Sequence, residues 1–119
     1  MRRKTGFLTL SLGLLAAPAM AEVHYVLMMG SGYFPDAVYP AIGDQVKFVN
    51  QSDIAMAATA TDASWTTGIM LPAAEVLLDV SEGMTQTFTD TVNIDSIAEG
   101  TIDYVNPPPL DLAANAQSN

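Results

Sequence analysis

The stretch Gly43 to Gly68, GDQVKFVNQSDIAMAATATDASWTTG, decides the fold. From Gln45 to Asn50, Val46, Phe48 and Asn50 alternate with Gln45, Lys47 and Val49. That period of two sends successive side chains to opposite faces of a strand. Gly43-Asp44 supplies a tight turn before it and Gln51-Ser52-Asp53 a turn after it. Ile54 to Thr61 reads as a second strand. Its alanines suit a helix, but its Ile and Thr residues and the missing caps favour extended chain. Asp62-Ala63-Ser64 then loops to Trp65, the only tryptophan. The stretch predicts the central hairpin and loop of a small β-sandwich, anchored by Phe48 and Trp65.

Further strands flank it on both sides. Glu22 to Met29 is rich in β-branched and aromatic residues and stops at Gly30. His24, Val26 and Met28 share one of its faces, Tyr25, Leu27 and Met29 the other. Gly30-Ser31-Gly32 is a turn, Tyr33 to Asp36 an irregular crossing, and Ala37 to Ile42 a short strand interrupted by Pro40. Beyond the loop of 62–74 come a strand at Glu75 to Val80, a turn at Ser81-Glu82-Gly83, and a strand at Met84 to Thr91. Val92 to Glu99 suits either a short strand or a turn, and Gly100 to Val105 closes the set. About seven short strands without an amphipathic helix predict an all-β, antiparallel sandwich.

The ends read differently. Arg2-Arg3-Lys4, the apolar run Gly6 to Leu15 and the small residues of Ala19-Met20-Ala21 form a secretory signal, residues 1–21, cleaved after Ala21. The expectation is a periplasmic or secreted domain over 22–105. Asn106-Pro107-Pro108-Pro109 ends the sheet, and 106–119 reads as a Pro-rich, disordered tail.

The formal charge of the whole chain is −9. Three of its four Lys and Arg residues lie within the signal and none of its 13 Asp and Glu residues does, so 22–119 carries −12 and one basic side chain, Lys47. Nucleic acid and anionic membrane surfaces are excluded as partners, whereas a basic protein partner or cations are allowed. With no Cys, the fold rests on its core alone, and thiolates are absent from the possible ligands and nucleophiles.

Several short motifs now stand in order: Val26-Leu27-Met28, Phe34-Pro35, Gly43-Asp44-Gln45-Val46-Lys47-Phe48-Val49-Asn50, Asp62-Ala63-Ser64-Trp65-Thr66-Thr67-Gly68, the pair Gly83 and Phe88, and Gly100-Thr101-Ile102. In that order and spacing the chain resembles the cupredoxin family, the plastocyanin-, pseudoazurin- and amicyanin-like copper proteins, from about Val23 to Val105. The resemblance implies a Greek-key sandwich and a type 1 copper site of two imidazoles, one thiolate and an axial thioether. Carried over residue by residue, those ligand positions fall on Met56, Val92, Asp95 and Ala98. With no thiolate available, no metal is expected there and no cofactor is implied. Whether the ligand loop is substituted or shortened stays open.

The remaining constellations have plain readings beside the functional ones. His24 is the only His, and with Met28, Met56 and Met70 it makes an alternative set of copper ligands. The plain reading is a surface His and adaptable core methionines. Asp90, Asp95, Glu99 and Asp103 lack the spacing of a calcium loop and read as solvated faces. No nucleophile is paired with a base, so an enzyme is not expected. The expectation is an exported domain that has lost type 1 copper and acts as a structural or protein-binding module, its partner a protein and by charge a basic one. The alternative is a periplasmic copper-binding or electron-transfer protein using non-standard Met and His ligands.

Overall fold

The computed structural model describes residues 21–110. The signal segment up to Met20 and the tail from Asp111 onward lie outside the described residues. Eight strands follow in chain order: β1 (Val23–Met28), β2 (Tyr33–Phe34), β3 (Ala37–Val38), β4 (Gln45–Asn50), β5 (Thr59–Ala60), β6 (Glu75–Asp79), β7 (Thr87–Thr89) and β8 (Glu99–Ile102). They form two four-stranded sheets, ordered β2-β1-β4-β6 and β3-β8-β7-β5. The chain is an all-β sandwich, as its turn spacing and strand patterns predict.

Two features of the topology differ from the sequence expectation. The sheets are mixed, because β1 runs parallel to β4 and β3 parallel to β8. The run of 54–61 is also not the second arm of a hairpin with β4. Only Thr59 and Ala60 are strand, and they pair with β7 in the opposite sheet. The chain crosses from one sheet to the other between Asn50 and Thr59.

β4 is central because both its edges are occupied, by β1 and by β6. Its burial alternates residue by residue, with Val46, Phe48 and Asn50 fully enclosed. β1 repeats the pattern, burying Val26 and Met28 and half-burying His24. The second sheet answers with Val38, Phe88 and Ile102, and these residues close one hydrophobic core. Four aromatic rings meet at its centre. Phe88 stands edge-on to Tyr33 at 4.8 Å and to Phe48 at 5.4 Å, and Trp65 lies 5.7 Å from Phe88. Such tilted arrangements align ring edges with ring faces and add to the area buried.

The Trp65 loop is built from polar contacts. Asp62 Oδ1 accepts from the Ser64 amide and hydroxyl at 3.0 and 2.6 Å, and Asp62 Oδ2 accepts from the Thr85 hydroxyl at 2.7 Å. The Trp65 indole N–H donates to the Thr85 carbonyl at 2.9 Å. The Ser64 and Thr85 hydroxyls and the Ser64 amide hold the Asp62 carboxyl down at about 2, against an ordinary value of 3.8. A depressed folded-state value means that this carboxylate's stabilisation is complete above the ordinary value and is lost as pH falls through about 2. Asp62→Asn is therefore expected to narrow its stability deficit relative to wild type as pH is lowered from about 4 to about 2. Urea midpoints over that range measure the gap. A gap independent of pH would remove Asp62 as the titrating group.

Candidate functional site

At one end of the sandwich, four connections converge above the aromatic core. They are the β1–β2 turn, the crossover of 51–58, the segment of 68–74 and the β7–β8 loop. Met56 and Met70 sit opposite one another in an isolated antiparallel bridge and exchange both backbone hydrogen bonds, at 3.0 and 2.7 Å. Asn50, at the end of β4 and wholly buried, ties two of these segments, the crossover of 51–58 and the segment of 68–74, to β4. Its amide donates to the carbonyls of Ile54 at 2.9 Å and Met70 at 2.8 Å, and its Oδ1 accepts from the amide and hydroxyl of Ser52.

Asp90 fixes the fourth segment. It is buried rather than on a solvated face, which corrects the sequence expectation for this residue. Its Oδ1 accepts from the amides of Ala57 at 3.2 Å and Val92 at 2.9 Å, and Oδ2 accepts from the Asn93 side chain at 2.6 Å. The Asn93 amide group also reaches the Ala55 carbonyl at 2.9 Å. Tyr33 completes the set by donating to the Ala57 carbonyl at 2.7 Å. Burial, and then the Asp90 charge, raise the Tyr33 hydroxyl well above the usual phenol range, so it stays a proton donor.

These ties hold the β7–β8 loop in a form that turns two isoleucines outward. Ile94 is 92% exposed and Ile97 90%. Met29, Ile54, Ile69 and Leu71, on the other converging segments, are exposed as well. Asp53 and Asp95 are exposed carboxylates on the same loops, and Glu99 is exposed at the start of β8. The outer surface of this end is thus apolar and dotted with acids.

The four positions that match the family's copper ligands are not equivalent. Met56 and Ala98 are buried in the core, Val92 is half-buried, and Asp95 is exposed. The Met56 sulfur already accepts from the Gly30 amide at 3.2 Å. The alternative ligands divide into two groups. Met28, Met56 and Met70 are all buried near the converging loops. His24 lies four residues before Met28 on β1, about 13 Å away along an extended strand. It does not join the methionines.

His24 instead meets two carboxylates at the opposite end of β1. Its Nε2 lies 2.9 Å from Asp44 Oδ2 and 3.9 Å from Glu22 Oε1. Asp44 is nearly enclosed and also accepts from the amides of Glu22 at 3.0 Å and Ala41 at 2.9 Å. Those two amides, and then the His24 ring, hold its carboxyl down at about 2. Glu22 and Asp44 were not among the candidates drawn from the sequence. Glu22 and His24 were legible as a same-face i, i+2 pair. Asp44 was not, because only the parallel register of β1 on β4 brings it across. Nor were Ile94 and Ile97 among those candidates; their only signal was a pair of apolar residues in a segment that suited either a strand or a turn.

Among the described residues no helix is long and apolar enough to cross a membrane. The chain matches no protein-family model and none of the curated proteins.

Proposed function

We propose that this chain is an exported, cupredoxin-like sandwich that acts by binding another protein, in a role that needs neither type 1 copper nor catalysis. One observation carries the reading: Ile94 and Ile97 are held almost fully exposed by a loop whose base is pinned through Asp90 and Asn93. Exposed apolar groups on a mobile tip are common, but two isoleucines on a braced loop leave a burial gain of up to about 1.5–3 kcal/mol each unrealised. Docking a partner recovers it. The ligand positions beneath support the same reading, since Met56 and Ala98 fill the interior with apolar atoms. The partner that fits has an apolar patch for the isoleucines and basic residues for Asp53, Asp95 and Glu99. The resemblance to cupredoxins, the signal segment and export belong to this proposal as its context.

The test is capture from extract of the compartment to which the chain is exported, comparing wild type with the Ile94→Ser, Ile97→Ser double variant. Wild type is expected to retain a partner at moderate salt. The double variant is expected to bind it at least about tenfold more weakly, because truncating a central apolar anchor costs about 1–2 kcal/mol. Equal binding by the two proteins, or no partner at all, would end this reading.

A further inference from the structure

We propose that Glu22, His24 and Asp44 form a binding site for one divalent transition ion of the zinc or copper(II) kind. The site lies at the other end of β1 from the exposed isoleucines, so it stands or falls independently of the protein-binding reading. Among the described residues this is the one group of three His or carboxylate side chains whose ligand atoms all lie within 4.8 Å of one another. Tetrahedral zinc with ligand bonds near 2.1 Å places neighbouring donors about 3.4 Å apart. The spacings here, 2.9 Å from Nε2 to Asp44 and 3.9 Å from Nε2 to Glu22, bracket that value.

The three donors differ in freedom in a way that suits a partly preformed site. The Asp44 side chain is 12% exposed and fixed by the turn amides of Glu22 and Ala41. The His24 ring is 21% exposed and set by β1. The Glu22 side chain is 75% exposed and can rotate inward to complete the shell. Outside the three donors is a cleft of about 400 Å³ walled by Tyr39, Ala41, Ile42 and Gly43, which leaves room for water as a fourth ligand.

A purely structural role accounts for only part of this geometry. A His24–Asp44 hydrogen bond braces the turn before β4 without Glu22, yet the Glu22 carboxylate also comes within 3.9 Å of the same ring nitrogen. Two carboxylates facing one imidazole nitrogen offer three donors to a single cation, and the acidic chain around them raises the local concentration of cations. One imidazole and two carboxylates, with no thiolate, select divalent borderline ions over Cu(I). Occupancy takes the Nε2 lone pair, so the ring proton resides on Nδ1 and the His24–Asp44 hydrogen bond gives way to two metal bonds.

Titration of the exported protein with zinc chloride, and separately with copper sulfate, against a chromophoric competitor tests the site. One equivalent of each ion is expected to bind, with a rise in melting temperature. His24→Gln keeps the side chain's size and is expected to lower affinity at least tenfold while leaving the metal-free melting temperature near that of wild type. Asp44→Asn and Glu22→Gln are expected to weaken binding too. No stoichiometric binding, or binding unchanged in His24→Gln, overturns the proposal. Copper binding lost in His24→Gln but intact in both carboxylate variants also overturns it. That pattern would assign the ion to the backbone nitrogens at Glu22-Val23-His24 of the processed chain.

Discussion

Gly100→Ala is expected to lower the melting temperature by about 5–20 °C. Gly100 lies opposite Phe88 in the β7–β8 pair. A Cβ at this position would fall 2.6 Å from Phe88 Cε2 and 3.0 Å from Cε1, closer still to the ring tip. The Phe88 ring is 1% exposed and has no free direction, because Tyr33, Phe48 and Trp65 surround it. Gly100 does not have a positive φ, so backbone strain is not the cause. The alanine's lower unfolded-state entropy would by itself stabilise the fold by about 0.4–1 kcal/mol. Overpacking outweighs that gain, at about 2–3 kcal/mol. Gly32→Ala is the control, since a Cβ there meets nothing within 4 Å. Phe88→Leu placed on Gly100→Ala should return part of the loss, because the two positions share one clash. Thermal melts of the four proteins decide the matter. An unchanged or higher midpoint for Gly100→Ala would mean that the ring and sheet give way more easily than their neighbours imply.

The same residues show how far sequence carries. β4 was legible to the residue because three cues agreed: a Gly43-Asp44 turn, strict alternation, and two large apolar side chains on one face. Gly100 was legible only as a family landmark. Its reason, an aromatic ring pressed onto bare backbone, is a cross-strand fact. The run of 54–61 was misjudged for a related reason. Met56, Ala57 and Ala58 are buried as in a strand, but their backbone groups bond to Met70, Asp90 and the Thr67 side chain rather than to one ladder. Local propensity does not register partners 9 to 33 residues away. The Glu22–His24–Asp44 cluster was hidden in the same way, behind a parallel pairing that no turn announces. Ile94 and Ile97 gave no signal of their exposure, because Val92 to Glu99 suited either a short strand or a turn. Asp90 and Asn93, the polar residues just before them, are what turn the segment outward.

Replacing Asn50 is expected to unfasten the loop end as a whole. Its side chain is fully buried and makes four hydrogen bonds, two given and two received. Asn50→Leu keeps the volume and loses all four. The Met70 carbonyl keeps its bond from the Met56 amide, and Ser52 is near enough to solvent to find water. The Ile54 carbonyl keeps the Ser52 hydroxyl at 3.0 Å only while that turn holds. The net cost is about 2–3 kcal/mol, from four lost hydrogen bonds at about 0.5–1.5 kcal/mol each, less where a second partner remains. Asn50→Asp keeps the two acceptor bonds but aims a second oxygen, in place of the NH₂ group, at the Ile54 and Met70 carbonyls. Burial and those carbonyls disfavour the charged form, so its folded-state pKa lies above the unfolded value. The folded state then holds the proton over a pH range in which the unfolded state has lost it, and stability falls as pH rises through that range. Asn50→Asp should therefore be closest to wild type in mild acid and weakest at neutral pH, whereas the Asn50→Leu deficit should vary little with pH. Urea unfolding of both variants across that range separates them. Amide exchange should quicken first at Met56, Met70 and Ala73, whose amides bridge the segments that Asn50 joins. If the Asn50→Asp deficit were constant with pH, the carboxylate would have found water, and the end of β4 would be more open than its complete burial describes.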